Sequence, residues 1–221
     1  MTSDAASGGN GRTGYGGDVT LRLAVLGDSI AFGQGTARAE DRPAARLTRG
    51  LAGHDVEVTT RVFAVSGARS AGLGAQVDRA LPWQPDLAVV VIGANDLTHR
   101  TPVERAARDL GDAVRRLVEQ GAEALVAPAP DLSVVPHVPP DVRALVRAGS
   151  LLLREAQVRA VRAAGGHVAD HDGTSDSFAA DPGGLFSADG FHPSADGYRV
   201  IADALLPDLL ALARSRDGRR P

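Results

Sequence analysis

The chain has 221 residues, of which 43% are hydrophobic and 23% charged, and its formal net charge is −3. This length suits one domain, or at most two small ones, and the apolar content is too high for an intrinsically disordered chain. Twenty-four basic residues against 27 acidic ones leave no positive excess for a phosphate backbone, so we do not expect nucleic acid as a partner.

The two ends of the chain differ from its centre. Residues 1–17 carry six glycines and a single large apolar side chain, Tyr15, so burial cannot offset the entropy lost on ordering them. We predict a flexible leader over residues 1–17, a loose tail over residues 216–221, and one folded domain over residues 18–215 between them.

Five short runs are predicted strands. Leu87–Ile92 is apolar on both faces, and Val56–Val65 is rich in β-branched residues. Continuous apolar strands, instead of alternating ones, indicate a parallel sheet covered on both sides. The runs are Leu21–Leu26, Val56–Val65, Leu87–Ile92, Ala124–Ala127 and His167–Ala169.

Helical patterns separate these strands. Pro102–Gln120 has apolar residues at helical spacing, and a capping box is predicted at its start with Thr101 as the N-cap. Asp141–Ala164 is a second helix, and Ser194 caps a last one that Pro207 should kink or interrupt. The alternation predicts an α/β fold, a three-layer α/β/α sandwich around a five-stranded parallel sheet.

Two long loops are predicted at the carboxyl ends of strands, where ligands bind in such sheets. Pro128–Pro140 is rich in proline, and Asp170–Asp189 is a 20-residue acidic stretch. Long loops without secondary structure are usually functional. Phe178, Leu185 and Phe186 in the acidic loop either anchor it to the core or form an apolar wall for an acyl chain.

Polar motifs follow the predicted strands at the points where they end. In a parallel sheet these points lie along one edge, so distant segments converge on one cleft. Asp28 is interpreted as a turn acceptor and Asp96 as a support for the loop that carries Asn95. The motifs are Gly27-Asp28-Ser29, Ser66-Gly67-Ala68, Gly93-Ala94-Asn95-Asp96 and Asp189-Gly190-Phe191-His192.

This set of residues suits acyl transfer. The hydroxyl of Ser29 becomes a useful nucleophile once a base takes its proton, and the imidazole of His192 is the candidate base. Asp189, three residues earlier, can orient that imidazole and stabilise its protonated form. Donors for the oxyanion of a tetrahedral intermediate are the Ser29 N–H, the Gly67 N–H and the Asn95 amide.

The four motifs, in this order and spacing, resemble those of the SGNH hydrolases, also called GDSL esterases and lipases, over about residues 20–212. The resemblance implies Ser29 as nucleophile, His192 as base, Asp189 as its orienting acid, and Ser29, Gly67 and Asn95 as the oxyanion hole. It also implies a flavodoxin-like sheet and no metal or organic cofactor. The expected substrate is a small-molecule ester or thioester, cleaved through an acyl-enzyme intermediate.

Further residues are candidates for contact with the substrate. His137 lies in the proline-rich loop and Phe186 in the acidic loop, and both are predicted substrate-binding residues. His99 and His171 fall in loops at the same edge of the sheet, with no role assigned to them.

Two alternatives to an esterase stay open from the sequence. A metal-dependent phosphoesterase would use the Gly-Asp and Gly-x-Asn-Asp motifs with scattered His and Asp residues to hold cations. A non-catalytic nucleotide-binding module would use Gly27, Gly33 and Gly35 as a phosphate-binding turn, although that turn does not match Gly-x-Gly-x-x-Gly. Ester turnover in the presence of EDTA distinguishes the first alternative, and tight nucleotide binding without turnover distinguishes the second.

The absence of cysteine excludes disulfides, a thiol nucleophile and thiolate metal sites. No apolar run approaches the roughly 20 residues of a membrane-spanning helix, and residues 1–18 lack the apolar core of a signal peptide. We therefore expect a cytoplasmic protein without stable membrane insertion. The oligomeric state is not indicated.

Overall fold

The five apolar runs form one parallel sheet. In the computed structural model, which describes residues 20–170 and 172–217, the strand order is β2-β1-β3-β4-β5 and all neighbouring strands are parallel. This is the doubly wound order of flavodoxin, so the predicted fold class is confirmed. The strands are β1 (Leu21–Gly27), β2 (Val58–Val62), β3 (Leu87–Val91), β4 (Glu123–Ala127) and β5 (His167–Val168).

Helices cover both faces of the sheet. No helix in the described part of the chain is long and apolar enough to cross a membrane. The helices are α1 (Ser29–Phe32), α2 (Pro43–Ala52), α3 (Leu73–Ala80), α4 (Ala94–Thr98), α5 (Val103–Glu119), α6 (Arg143–Ala163), α7 (Asp172–Ala180), α8 (Pro182–Leu185) and α9 (Ala195–Asp217).

The three central strands, β1, β3 and β4, each contribute to two separate cores. Leu23 and Val25 of β1 pack on the face covered by α2 and α9, whereas Ala24 and Leu26 pack on the face covered by α3, α5 and α6. All four side chains are fully buried. Burial on both faces explains why these three strands are continuously apolar. The edge strand β2 is partly exposed and carries polar residues.

The last helix differs from its prediction at two places. Pro207 lies inside α9 without interrupting it, because Leu205 and Leu209 on either side of the proline are buried against the sheet and hold the helix in place. The helix also continues to Asp217, past the predicted domain end at residue 215, and the Arg216 guanidinium lies 3.3 Å from a carboxylate oxygen of Asp86. The predicted leader, and the tail beyond Asp217, lie outside the described residues.

The predicted capping box at the start of α5 is wrong. The helix begins one residue later than expected, with Pro102 as its N-cap and no side-chain hydrogen bond there. The Pro102 carbonyl accepts from the N–H groups of Arg105 and Ala106, so it is the first helical acceptor. Thr101 is thereby outside capping reach, and its buried hydroxyl has no partner within the described ranges.

The acidic stretch Asp170–Asp189, predicted as a loop, contains the helices α7 and α8. Phe178 is buried and anchors α7, and Asp181 caps α8 by accepting a hydrogen bond of 2.9 Å from the Gly184 N–H. Both helices are rich in residues of low helix propensity, and the sequence pattern therefore did not predict them. The Pro128–Pro140 loop, by contrast, holds one 3₁₀ turn at Leu132–Val134 and otherwise no regular structure.

The close packing of the end of β1 against β3 can be tested by substitution of Gly27. Its φ is +131°, and a Cβ there would collide with the carbonyl group of Val91. We expect Gly27→Ala to lower the free energy of unfolding by about 3 kcal/mol or more, measured by urea denaturation.

The matched control for this substitution is Gly74→Ala in α3, where an added Cβ meets open space. That variant should gain about 0.5–1 kcal/mol, the usual difference between alanine and glycine in a helix. Equal stabilities for the two variants would contradict the steric argument.

Candidate active site

Ser29 lies in a tight turn between β1 and α1. Asp28 is the N-cap of α1, and its Oδ1 accepts a hydrogen bond of 2.9 Å from the Ile30 N–H. The backbone N–H of Ser29 has no acceptor in the described part of the chain. The turn therefore presents the Ser29 hydroxyl and a free N–H together at the carboxyl edge of the sheet.

The structure brings Ser29, His192 and Asp189 into one hydrogen-bonded row. His192 Nε2 lies 3.0 Å from Ser29 Oγ, across 163 residues of sequence. His192 Nδ1 lies 2.6 Å from Asp189 Oδ2. The imidazole thus has one nitrogen on the hydroxyl and the other on the carboxylate, the geometry expected of a nucleophile, a base and an orienting acid.

The Asp189 carboxylate is held by several donors. Its Oδ1 accepts from the Ser187 hydroxyl at 2.9 Å, the Phe191 N–H at 2.8 Å and the His192 N–H at 2.9 Å. Burial alone would raise the pKa of Asp189, but the hydrogen bonds from His192 and from these other donors outweigh it, so the pKa of Asp189 lies well below its usual value. The carboxylate stays ionised at neutral pH, as an orienting acid must.

The Asn95 side chain contacts the loop that carries Gly67. Asn95 Nδ2 donates a hydrogen bond of 3.1 Å to the Ala68 carbonyl, next to Gly67. The Gly67 N–H, in a residue with φ +78°, has no acceptor among residues 20–170 and 172–217. Asp96 fixes this contact, because its Oδ2 accepts from both the N–H and the hydroxyl of Ser70, at 2.9 and 2.8 Å. The loop after β2 and the start of α4 are therefore joined at the site.

Two buried glutamines, which the sequence reasoning missed, hold the strand ends in place. The Gln76 amide accepts from the Gly27 N–H and donates to the Gly27 carbonyl, both at 2.8 Å. Gln157 accepts from the Ala129 N–H at 2.7 Å and donates to the Ile92 carbonyl at 3.4 Å. Each glutamine is a lone polar residue within the apolar stripe of its helix. This pattern could have indicated a structural role, because a buried amide needs hydrogen-bond partners.

The other candidate residues have different surroundings. His137 is exposed, and its ring packs against Gly190 in the loop between Asp189 and His192. His99 turns back onto its own helix, with Nδ1 2.9 Å from the Asn95 carbonyl oxygen. His171 lies outside the described residues.

Phe186 is 8% exposed and belongs to a cluster that anchors α7 and α8. It also lines an apolar cavity beside the site. Phe186 therefore anchors the acidic stretch to the core, as one of the two predicted roles requires, and it also borders the cavity.

The geometry bears on both alternatives to an esterase. Across the described ranges, no three His, Asp or Glu side chains are grouped to hold a metal ion. Gly33 faces the side chain of Arg42, and Gly35 faces Pro193 and His192. Protein atoms therefore occupy the position of a Cβ at both glycines.

Asp28 is a buried carboxyl group with an unusual ionisation. Burial, with a smaller contribution from the charge of Asp96, raises the pKa of Asp28 from 3.8 to about 7, although the Ile30 N–H lowers it. The Oδ2 atom of Asp28 and the Oδ1 atom of Asp96 are both buried without a partner among the described residues. A protonated Asp28 relieves the repulsion between these two carboxyl groups.

This ionisation predicts a pH dependence of stability. Between about pH 4 and pH 7 the unfolded chain loses the Asp28 proton while the folded chain keeps it, so the free energy of unfolding falls as pH rises. Asp28→Asn cannot ionise, and relative to the native chain it should gain about 3–4 kcal/mol across that interval. Chemical denaturation at a series of pH values measures the difference.

Asp112→Asn is the matched control, because that carboxylate is exposed on α5 beside Arg115. A plot of the free energy of unfolding against pH should run parallel for this variant and for the native chain. A parallel curve for Asp28→Asn as well would show that Asp28 is ionised in the folded protein.

Comparison with known proteins places the chain in a family. Its sequence matches the profile of the GDSL-like Lipase/Acylhydrolase family over residues 25–200. It is 41% identical over 196 residues to the GDSL-like esterase Rv1075c of Mycobacterium tuberculosis, and the match covers 84% of this chain and 60% of that protein. The chain thus spans about 60% of the length of this relative.

Solved structures agree in fold. TesA superposes with a TM-score of 0.66 at 21% identity, covering 87% of this chain and 99% of TesA. A catalytic mutant of Axe2, an acetylxylan esterase from Geobacillus stearothermophilus, gives 0.69 at 16% identity, covering 87% and 96% of the two chains. With the family profile extending over both Ser29 and His192, the chain belongs to the GDSL-like lipase/acylhydrolase family.

Proposed function

We propose that this chain is a serine hydrolase that cleaves the carboxylic ester or thioester of a small molecule through an acyl-enzyme intermediate. The observation that carries the proposal is the row Ser29–His192–Asp189, with its contacts of 3.0 and 2.6 Å. Membership of the GDSL-like family supports ester hydrolysis, and the esterase description of the relative that is 41% identical agrees with it.

In the first half of the reaction, Ser29 Oγ attacks the carbonyl carbon of the ester while its proton passes to His192 Nε2. The carbon–oxygen double bond becomes a single bond, and the oxygen carries the negative charge of a tetrahedral intermediate. When the intermediate collapses, the bond to the leaving group breaks, and the leaving oxygen or sulfur takes the proton from His192. Asp189 stabilises the imidazolium between these two transfers.

The negative oxygen is stabilised by donors that are already in place. The Ser29 and Gly67 N–H groups have no acceptor within the described residues, and the Asn95 amide is held by the Ala68 carbonyl at 3.1 Å. Only one of the two Asn95 amide hydrogens is needed for that bond, which leaves the other for the oxyanion. Donors fixed before the reaction stabilise the transition state without reorganising.

In the second half, water replaces the leaving group. His192 takes a proton from the water as its oxygen attacks the acyl carbon, and a second tetrahedral intermediate forms at the same oxyanion position. Its collapse breaks the bond to Ser29 Oγ, which recovers its proton from His192, and the carboxylic acid is released. The balance of atoms requires only the ester and one water molecule.

The role of Ser29 is tested by Ser29→Ala. We expect this variant to lose hydrolysis of p-nitrophenyl acetate and covalent labelling by a fluorophosphonate probe, because no hydroxyl remains to attack. Ser215→Ala, which removes a hydroxyl on the exposed side of α9, is the control and should behave as the native chain. Undiminished labelling of Ser29→Ala would refute the assignment.

The oxyanion role of Asn95 predicts a different kinetic pattern. Asn95→Ala should lower kcat by about 10²–10³ with little change in KM, because the lost donor acts on the transition state. Steady-state kinetics with p-nitrophenyl acetate measure both constants, and complete fluorophosphonate labelling after long incubation shows that Ser29 can still react. A change in KM alone would place Asn95 in substrate binding instead.

A further inference from the structure

The Gly67 N–H lies at the tip of a tight turn formed by residues 65–68, which we call the Gly67 turn. The Ala68 N–H donates to the Val65 carbonyl at 3.0 Å and closes the turn. Gly67 has a φ of +78°, whereas φ of Ser66 is not positive, which is the pattern of a type II turn with glycine at its third position. The turn type sets the direction of the Gly67 N–H relative to the rest of the turn.

Two hydrogen bonds attach the base of the Gly67 turn to the sheet edge. At its start, the Val65 N–H donates to the Gly27 carbonyl at 3.1 Å. At its end, the Ala68 carbonyl accepts from the Asn95 amide, also at 3.1 Å. These two attachments define an axis through the base of the turn, and they leave the tip able to tilt about that axis.

Packing does not prevent this tilt. Ser66 and Gly67 are both exposed, and a Cβ added at Gly67 would meet no described residue within 4 Å beyond its chain neighbours. Within the described ranges, the backbone N–H and carbonyl of Ser66 also make no hydrogen bond. A third attachment is therefore needed to fix the Gly67 N–H relative to Ser29.

Gln34 supplies that attachment from the opposite side of the site. The hydroxyl of Ser66 donates a hydrogen bond to Gln34 Oε1, across 32 residues of sequence. Ser66 directly precedes Gly67, so this bond holds the tip of the Gly67 turn rather than its base. The side chain of Gln34 is not needed by any step of the reaction described for Ser29.

The backbone of Gln34 gives its side chain a fixed starting point. Its N–H donates to the Ser29 carbonyl at 2.9 Å, and its carbonyl accepts from the hydroxyl of the fully buried Tyr198 at 2.6 Å. The next residue, Gly35, has a φ of +99°, and a Cβ there would come within 3.0 Å of the His192 Cβ. Gln34 is thus held against the segments that carry the candidate nucleophile and the candidate base.

We propose that Gln34 is a positioning residue that keeps the Gly67 N–H aimed at the oxyanion by holding Ser66. This inference rests on the proposed function, because it needs an oxyanion formed at Ser29. Complete loss of an oxyanion donor costs about 10²–10³ in kcat. A tilted donor keeps part of its effect, so we expect the loss of the Gln34 contact to cost about tenfold.

Replacement of the amide tests the proposal. Gln34→Met keeps the length of the side chain and removes the amide oxygen, so kcat for p-nitrophenyl acetate should fall about tenfold. KM should change less than about twofold, because the misaimed donor acts on the transition state. Gln120→Met is the matched control, since Gln120 is exposed at the end of α5, before β4 begins, and both constants should stay at their native values.

The partner residue provides a second, independent test. Ser66→Ala removes the hydroxyl and should lower kcat by the same factor as Gln34→Met. The double variant should be no slower than either single variant, because both substitutions remove one and the same hydrogen bond. Ser66→Thr keeps a hydroxyl and should hold kcat within about threefold of the native value. Gln34 and Ser66 are exposed, so thermal melts of all these variants should match that of the native chain.

The outcomes separate this inference from the proposed function. An unchanged kcat in Gln34→Met would overturn the positioning role while ester hydrolysis at Ser29 stands. Losses that multiply in the double variant, or a loss in Ser66→Thr as large as that in Ser66→Ala, would overturn it as well. Native protein that neither hydrolyses p-nitrophenyl acetate nor reacts with a fluorophosphonate probe would overturn the proposed function, and this inference with it.

Discussion

The hydrogen bond between Ser29 and His192 is the contact on which the rest of the site depends. It joins residues 163 positions apart at a distance of 3.0 Å. The carboxyl end of β1 supplies Ser29 and the segment before α9 supplies His192, and both reach the same edge because all five strands run in one direction. Reversal of any one strand of this sheet would carry its following loop to the opposite edge.

Buried polar groups hold that edge together. Gln76 fixes the end of β1, Gln157 fixes the segments after β3 and β4, and Asp96 fixes the loop after β2. Burying these groups is costly unless every one finds partners, and their hydrogen bonds then specify a single arrangement. Asp28 and Asp96 are incompletely satisfied, because each carboxyl group retains one buried oxygen without a partner within the described structure, and Asp28 keeps its proton to higher pH. The precision of the site is obtained at a local cost in stability.

Much of the fold and of the candidate site could be predicted from the sequence. The features that could not be predicted escaped for physical reasons. Continuous apolar runs such as Leu87–Ile92 predicted the sheet because a strand buried on both faces is apolar throughout. The polar motifs after the strands predicted that Ser29 and His192 come together, and the structure places them 3.0 Å apart. Boundaries and caps were less predictable. Pro102 took the N-cap position expected of Thr101, and tertiary packing carried α9 through Pro207. The apolar cavity that Phe186 lines could not be predicted, because its walls come from six or more separate segments and no local sequence pattern encodes the distances between them.

The contact between His137 and Gly190 links two segments that differ in kind. The proline-rich loop is stiff, and the turn between Asp189 and His192, with Gly190 at φ +64°, has room for the His137 ring only because it lacks a side chain there. The His137 ring consequently fills the space left by the missing side chain of Gly190. Anyone grafting a new loop after β4, to give the scaffold another substrate range, has to transplant the histidine with it or supply a ring of similar shape.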